Sequence, residues 1–165
     1  MLATVSVTFD FGKLSDIVSL DTMMEYHYDR SSDVIANVGY YITMVPETMG
    51  KKLSFVLMVW IDVLGNVLPP SNGSYTDVTV ANVNYKLFHG HNNDGNVVFT
   101  YVRKEVTNKF SVDLMHFFNY LSKYKLISMS DRLAHFRAGT TVTERAWGNF
   151  SSSNFALHPK IAAHL

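Results

Sequence analysis

The chain has 165 residues, with 14 lysines and arginines, 14 aspartates and glutamates, and no cysteine. A formal net charge of zero argues against the basic field that attracts nucleic acid, and the lack of cysteine excludes disulfides and thiolate metal sites. The length suits a single domain over residues 1–165.

Period-two alternation of apolar and polar residues dominates the chain from its first residues and predicts β-strands. The segment from Met1 to Val7 alternates and has neither the basic nor the apolar region of a signal peptide. No apolar run approaches the roughly 20 residues that span a membrane, so no membrane partner is expected. The predicted strands centre on Val5–Phe9, Met24–Tyr28, Val34–Thr43, Leu53–Val63, Tyr75–Val83, Asn84–Phe88, Val97–Val102, Leu133–Thr143 and Phe150–Leu157.

The segment Leu53–Val63 differs from the others because it is almost wholly apolar. Such a run is typical of a central strand that is covered on both faces. A turn-rich loop follows, marked by Gly65-Asn66 and by Pro69-Pro70-Ser71-Asn72-Gly73.

One segment departs from period two. Between Ser111 and Lys123, the apolar residues recur at helical spacing, namely Leu114, Phe117, Phe118 and Leu121. We expect an amphipathic helix capped by Ser111, with Asp113 near its positive end. The final residues, Lys160–Leu165, are expected to fray. The pattern predicts an all-β protein, a β-sandwich of jelly-roll type with one amphipathic α-helix.

Histidines flank a glycine at His89-Gly90-His91, a spacing that suggests a metal pair. The surrounding Gly/Asn-rich turn favours a solvent-exposed loop instead, and no acidic cluster completes a metal site. We therefore expect neither a metal nor a cofactor.

Several stretches, taken in order, resemble glycoside hydrolase family 12, the compact endoglucanases and xyloglucanases, and most closely its oomycete members. These stretches are Met58-Val59-Trp60, Tyr85–Gly90, Val97–Val102, Phe110–Leu114 with Phe117–Leu121, and Ala138-Gly139-Thr140. The resemblance runs from about Val5 to about Phe155. It implies the jelly roll, and it also implies that the amino-terminal strands of the family are missing.

The acids of the family are absent at the matching positions. The resemblance places a glutamate at Val56, a second at Thr141 and an aspartate at Tyr41. A retaining glycosidase needs two carboxylates about 5–5.5 Å apart, one to attack and one to donate a proton. Valine and threonine supply neither function, so no catalytic residue is expected.

Other acids are poor substitutes. Asp62 stands six residues after Val56, which would put it on the same strand face, roughly 20 Å away along the strand, at the rim of the cleft. Glu144 follows Thr141 by three residues and points to the opposite face if the strand continues.

The remaining candidates are binding residues, each with a plainer structural interpretation. Val56 and Met58 form either core or cleft floor, and Trp60 is either a packed aromatic or a sugar-stacking platform. Arg137 flanks the Ala-Gly-Thr motif and faces a partner or solvent, and Thr141 is a further candidate for binding a partner or a glycan. Trp147 falls in a loop of the family.

Two functions from different classes follow from the resemblance. The first is a secreted, non-catalytic decoy in the host apoplast, which binds a plant glucanase inhibitor protein of the aspartic-protease-like type and so protects an active xyloglucanase. The second is a carbohydrate-binding protein or a residual endoglucanase acting on xyloglucan or a related β-glucan. A third interpretation, a truncated product that folds poorly without a partner, overlaps with the first.

Overall fold

The computed structural model describes residues 2–8, 10–30, 33–48, 52–144 and 148–163. The secondary structure of these residues is mostly β. The strands are β1 (Leu2–Val7), β2 (Ile17–Arg30), β3 (Ile35–Val45), β4 (Phe55–Leu64), β5 (Tyr75–Val80), β6 (Val83–His91), β7 (Val97–Arg103), β8 (Lys109–Asp113), β9 (Arg132–Glu144) and β10 (Gly148–Ile161). The helix α1 (Met115–Lys123) lies between β8 and β9, and a short 3-10 helix (Leu14–Asp16) precedes β2.

The strands form two sheets. The larger sheet has the order β1-β9-β3-β4-β7-β6-β5, and the smaller has the order β10-β2-β8. Neighbouring strands are antiparallel except for β4 and β7, which are parallel. The predicted sandwich with one helix is therefore confirmed.

The main core lies between the sheets and includes one face of each central strand. From β4 it receives Phe55, Leu57, Val59 and Ile61, which are at most 3% exposed. The helix contributes Phe117, Phe118 and Leu121, all fully buried in the same cluster. The helical spacing of these three residues is thus explained by packing against the sheets, as burial of an amphipathic face requires.

The helix starts later than the sequence predicts. Ser111 belongs to β8 and does not cap α1, so that expectation is wrong. The carboxylate of Asp113 takes the capping role, because its Oδ1 accepts hydrogen bonds from the backbone N–H groups of Met115 (2.9 Å) and Leu20 (2.8 Å). One carboxylate thereby joins the first turn of the helix to β2.

Two residues of the carboxyl-terminal segment belong to a strand, whereas residues 164 and 165 lie outside the described residues. Lys160 pairs with Ser19 and Ile161 with Ile17 at the end of β10, so the prediction that these two residues fray is wrong. Within the described ranges, no helix is long and apolar enough to cross a membrane.

Candidate functional site

The outer face of the larger sheet carries a second apolar cluster, formed by the alternate residues of β4. Val56, Met58 and Trp60 point away from the main core and pack with Val98 of β7. The almost wholly apolar sequence of β4 is explained by this double coverage, since each face of the strand lies in a different cluster.

A cavity of about 370 Å³ opens above this cluster, and we call it the cleft. Its floor comes from β9, β3 and β4, and one wall comes from the loop after β4. The lining residues include Thr4, Asn37, Gly39, Tyr41, Met58, Trp60, Val67, Leu68, Pro70, Asn92, Val98, Arg137, Gly139, Thr141 and Thr143. Met58 and Trp60 therefore lie in the floor of the cleft, and both are at most 8% exposed.

No acidic residue lines the described part of the cleft. Thr141 is exposed at its edge and pairs with Asn37 on β3. Val56 is 0% exposed and does not reach the cavity; it pairs with Thr43 on β3, six residues away from Asn37. The two positions where the resemblance places glutamates therefore differ in environment: Thr141 is open to solvent, and Val56 is buried in a mainly apolar cluster.

Tyr41, the third position where the resemblance places an acid, has a cationic neighbour. It pairs with Met58 on one side and with Arg137 on the other. The guanidinium carbon of Arg137 lies 4.6 Å from the centre of the Tyr41 ring, within the range of a cation–π contact. The position thus holds an aromatic ring under a positive charge.

Two hydroxyl groups beneath the cleft have no hydrogen-bond partner among the described residues. They belong to Thr43, which faces Val56 from β3, and to Thr100, which faces Met58 from β7. Both side chains are at most 5% exposed. Unpaired buried hydroxyls are uncommon in folded proteins, because they lose hydration without compensation.

Asp62 lies on the opposite face from Val56, so the prediction that it shares a face and forms the cleft rim is wrong. Ile61 is an extra residue in β4: Gly39 pairs with Trp60, but the preceding Val38 pairs with Asp62. This bulge reverses the alternation, since a shift of one residue moves each following side chain to the other face.

The interior position of Asp62 is confirmed by its contacts. Its carboxylate accepts hydrogen bonds from the Tyr26 hydroxyl on β2 and from the backbone N–H of Val63. Burial, together with the neighbouring carboxylate, raises the pKa of Tyr26. Asp62 therefore joins the two sheets.

Two glycines allow close backbone approach, one in the floor of the cleft and one against the loop of its wall. A Cβ atom at Gly39 would lie 2.0 Å from the carbonyl oxygen of Val59, beside the bulge. At Gly90, on β6, it would lie 2.3 Å from the carbonyl oxygen of Pro70. The close approach of Gly90 and Pro70 positions the loop that supplies Val67 and Leu68 to the cleft wall.

The histidine pair has no metal-binding environment in the described part of the chain. His89 stacks on Phe99, with ring centres 4.5 Å apart, and His91 is exposed at the end of β6. No group of three or more potential ligands is found among the described residues. Trp147 falls outside these residues, as does the side chain of Glu144.

The sequence alone did not identify the loop as part of the cleft. Leu68 is 74% exposed although it is a large apolar residue, and Val67 and Pro70 stand beside it in the wall. The sequence feature that could have indicated this role is the apolar pair Val67-Leu68 inside a turn-rich segment.

Residues 3–158 match the model for glycosyl hydrolase family 12. The xyloglucan-specific endo-beta-1,4-glucanase A of Emericella nidulans is 33% identical over 140 residues, covering 84% of this chain and 57% of that protein. The inactive glycoside hydrolase XLP1 of Phytophthora nicotianae is 29% identical over 140 residues, covering 84% of this chain and 58% of that protein. The chain thus spans a little over half the length of these relatives.

Solved structures show the same fold. The native family 12 xyloglucanase from Bacillus licheniformis superposes with a TM-score of 0.84 at 19% identity, covering 96% of this chain and 75% of that chain. The xyloglucanase domain of NopAA from Sinorhizobium fredii superposes with a TM-score of 0.81 at 20% identity, covering 95% and 74%.

Proposed function

The chain belongs to glycosyl hydrolase family 12, and we propose that it is a non-catalytic member of that family that acts by binding a protein. The observation that carries this proposal is the character of the cleft, which has no acidic residue in its described lining. Retaining glycosidases require a nucleophile and a general acid, and loss of the nucleophile removes the double-displacement route.

The burial of Val56 adds a second barrier to catalysis. A nucleophile must contact the anomeric carbon of a bound sugar, but this position is 0% exposed beneath its neighbours. The inactive relative from Phytophthora nicotianae supports the proposal, because a protein of similar sequence is named as lacking activity.

We propose further that the partner is a plant glucanase inhibitor protein, of the aspartic-protease-like type, in the host apoplast into which the chain is secreted. A protein that holds an active xyloglucanase by its cleft rim would also dock on a relative with the same fold. Burying charged carboxylates at an interface is costly unless they are paired. The substitutions at Val56, Thr141 and Tyr41 therefore permit binding without this cost, and the chain acts as a decoy for the active enzyme.

The alternative is a carbohydrate-binding protein, or an endoglucanase with residual activity. It is favoured by the polar groups of Asn37, Asn92 and Thr141 in a concave cavity. It is opposed by Trp60, which is 4% exposed and so offers little surface for stacking on a sugar. Sugar stacking requires an open aromatic face.

Direct binding separates the two functions. The 165-residue chain is titrated calorimetrically with purified inhibitor protein and, separately, with xyloglucan oligosaccharides. We expect saturable binding of the inhibitor and none of the oligosaccharides. Binding of the oligosaccharides alone would establish the alternative and overturn the decoy proposal.

A further inference from the structure

The charge of the cleft identifies what the partner presents to it. Arg137 is the only charged side chain among the described residues that line the cavity. A retaining glycosidase needs two carboxylates in its cleft. Among the described residues, the cleft of this chain holds one cationic side chain and no acidic one. Resting on the proposed function, we propose that the partner inserts an acidic side chain, flanked by apolar ones, against Arg137.

The guanidinium of Arg137 is suited to bind a carboxylate. It is half-buried and lies over the ring of Tyr41, which fixes the position of the group. Among the described residues, no hydrogen bond or ion pair of the guanidinium is found, so donors are left for a ligand. Arginine presents its N–H groups in a planar fork that matches the two oxygens of a carboxylate.

The rest of the lining favours a protein over a sugar as the source of that carboxylate. The surfaces around Arg137 are mainly apolar, from Met58, Val67, Leu68 and Pro70. Leu68 is 74% exposed, as expected of a residue that an apolar partner side chain covers. A uronic acid would gain little from stacking on an aromatic ring here, because Trp60 is only 4% exposed.

This charge would also give the partner a preference for the decoy. An acidic side chain in the cleft of an active relative would lie close to two carboxylates and be repelled. In this chain the same side chain meets Arg137 and no described acid. Charge would therefore direct the partner away from the enzyme and toward this chain, which a decoy requires.

The affinity of the cleft for a carboxylate can be tested without the inhibitor. Two peptides are used, acetyl-Leu-Glu-Leu-amide and acetyl-Leu-Gln-Leu-amide, which differ only in the charge of the central residue. Binding to the isotope-labelled 165-residue chain is followed by NMR at the indole N–H of Trp60 and the amide of Gly139. We expect the glutamate peptide to bind about fivefold more tightly, as one partly exposed ion pair allows.

Charge reversal provides the control. Arg137→Glu should abolish or invert the preference between the peptides. Lys86→Glu makes the same change in net charge at a second cation–π pair, 4.8 Å over Tyr75 and outside the cleft lining, and should leave the preference intact. Equal binding of the two peptides, binding of neither, or a preference that survives Arg137→Glu would overturn the proposal. Binding of trigalacturonic acid with no response to the peptides would assign the carboxylate to a carbohydrate and also overturn it.

The same variants, titrated with the inhibitor protein, distinguish failure of this inference from failure of the decoy proposal. We expect Arg137→Glu to weaken binding of the inhibitor at least tenfold and Lys86→Glu to change it less than twofold. If the unaltered chain binds the inhibitor but the two variants weaken it equally, the decoy proposal stands and the acidic contact is overturned. If the unaltered chain does not bind the inhibitor, the decoy proposal fails, and the peptide preference alone decides whether the cleft accepts a carboxylate.

Discussion

The hydroxyl of Tyr26, on the smaller sheet, donates a hydrogen bond to the carboxylate of Asp62, on the larger sheet. The contact exists because the extra residue Ile61 turns Asp62 inward, while Met58 and Trp60 stay in the cleft. The bulge that ends the cleft floor therefore also creates a polar link between the two sheets.

This link makes a prediction about stability. Tyr26→Phe removes the donor and leaves a partly buried carboxylate with one fewer partner, so we expect the free energy of unfolding to fall by about 1–3 kcal/mol. Tyr75→Phe makes the same chemical change at a tyrosine that is 48% exposed, and should cost less than about 0.5 kcal/mol. Urea denaturation measures both. Equal, small effects would mean that the Tyr26–Asp62 contact does not hold the sheets together.

The two positions that the family resemblance assigns to glutamates should respond differently when a glutamate is introduced. Val56→Glu places a carboxyl at a fully buried position in a mainly apolar cluster, and we expect it to destabilise the fold by more than about 2 kcal/mol. Thr141→Glu changes an exposed residue and should cost less than about 0.5 kcal/mol.

We expect neither variant, nor the two combined with Tyr41→Asp, to release reducing sugar from xyloglucan. Denaturation curves and a hydrolysis assay test this. A stable triple variant that hydrolyses xyloglucan would show that the cleft still positions a substrate, and would contradict the burial argument.

Tyr85 should influence stability at alkaline pH. Burial raises the pKa of Tyr85 to about 12, above the value near 10 of an unfolded chain. Between pH 10 and 12 the unfolded chain therefore releases a proton that the folded chain retains. The contribution of the neutral Tyr85 phenol to the free energy of unfolding is therefore fully present below pH 10 and is lost as the pH rises through 12.

Tyr85→Phe should remove this contribution. Its hydroxyl has no described hydrogen-bond partner, so at pH 7 we expect a change within about 1 kcal/mol, in either direction. Above pH 10, the decline of the unfolding free energy with pH should be shallower than in the unaltered chain. Denaturation curves recorded from pH 7 to pH 11 measure the slope. An unchanged slope would mean that this phenol ionises equally readily in both states.

Gly90 should control the cleft wall. Gly90→Ala would bring a methyl group against the carbonyl of Pro70, and the loop that carries Val67 and Leu68 must move outward. Trp60 would then gain exposure, and its fluorescence should shift to longer wavelength. The measurement uses a Trp147→Phe background, in which Trp60 is the only tryptophan of the sequence. His91→Ala, at the neighbouring exposed end of β6, is the control and should leave the spectrum unchanged.

The sequence predicted those features that depend on local periodicity. The alternation in β3 and β9 and the spacing of Phe117, Phe118 and Leu121 each report which face is buried, and the strands and the helix follow from them. The apolar run of β4 correctly indicated a strand covered on both faces.

The features that the sequence did not predict depend on tertiary contacts. Nothing local distinguishes Asp62 on a regular strand from Asp62 after a bulge, because the extra residue is defined by the pairing with Val38 and Gly39. The prediction that Ser111 caps α1 is wrong because Ser111 pairs with Met23 and so belongs to β8. The pair of Arg137 and Tyr41 required the register of β3 with β9, which composition does not reveal.

We propose that the chain protects an active xyloglucanase by occupying its inhibitor. The most direct measurement is a rescue assay, in which active family 12 xyloglucanase is held with enough plant inhibitor protein to suppress it, and the chain is titrated in, with the chain alone as the control. We predict that sugar release recovers with dose while the chain alone releases none. Suppression that persists at saturating concentrations of the chain would contradict the decoy function, and sugar release by the chain alone would contradict the loss of catalysis.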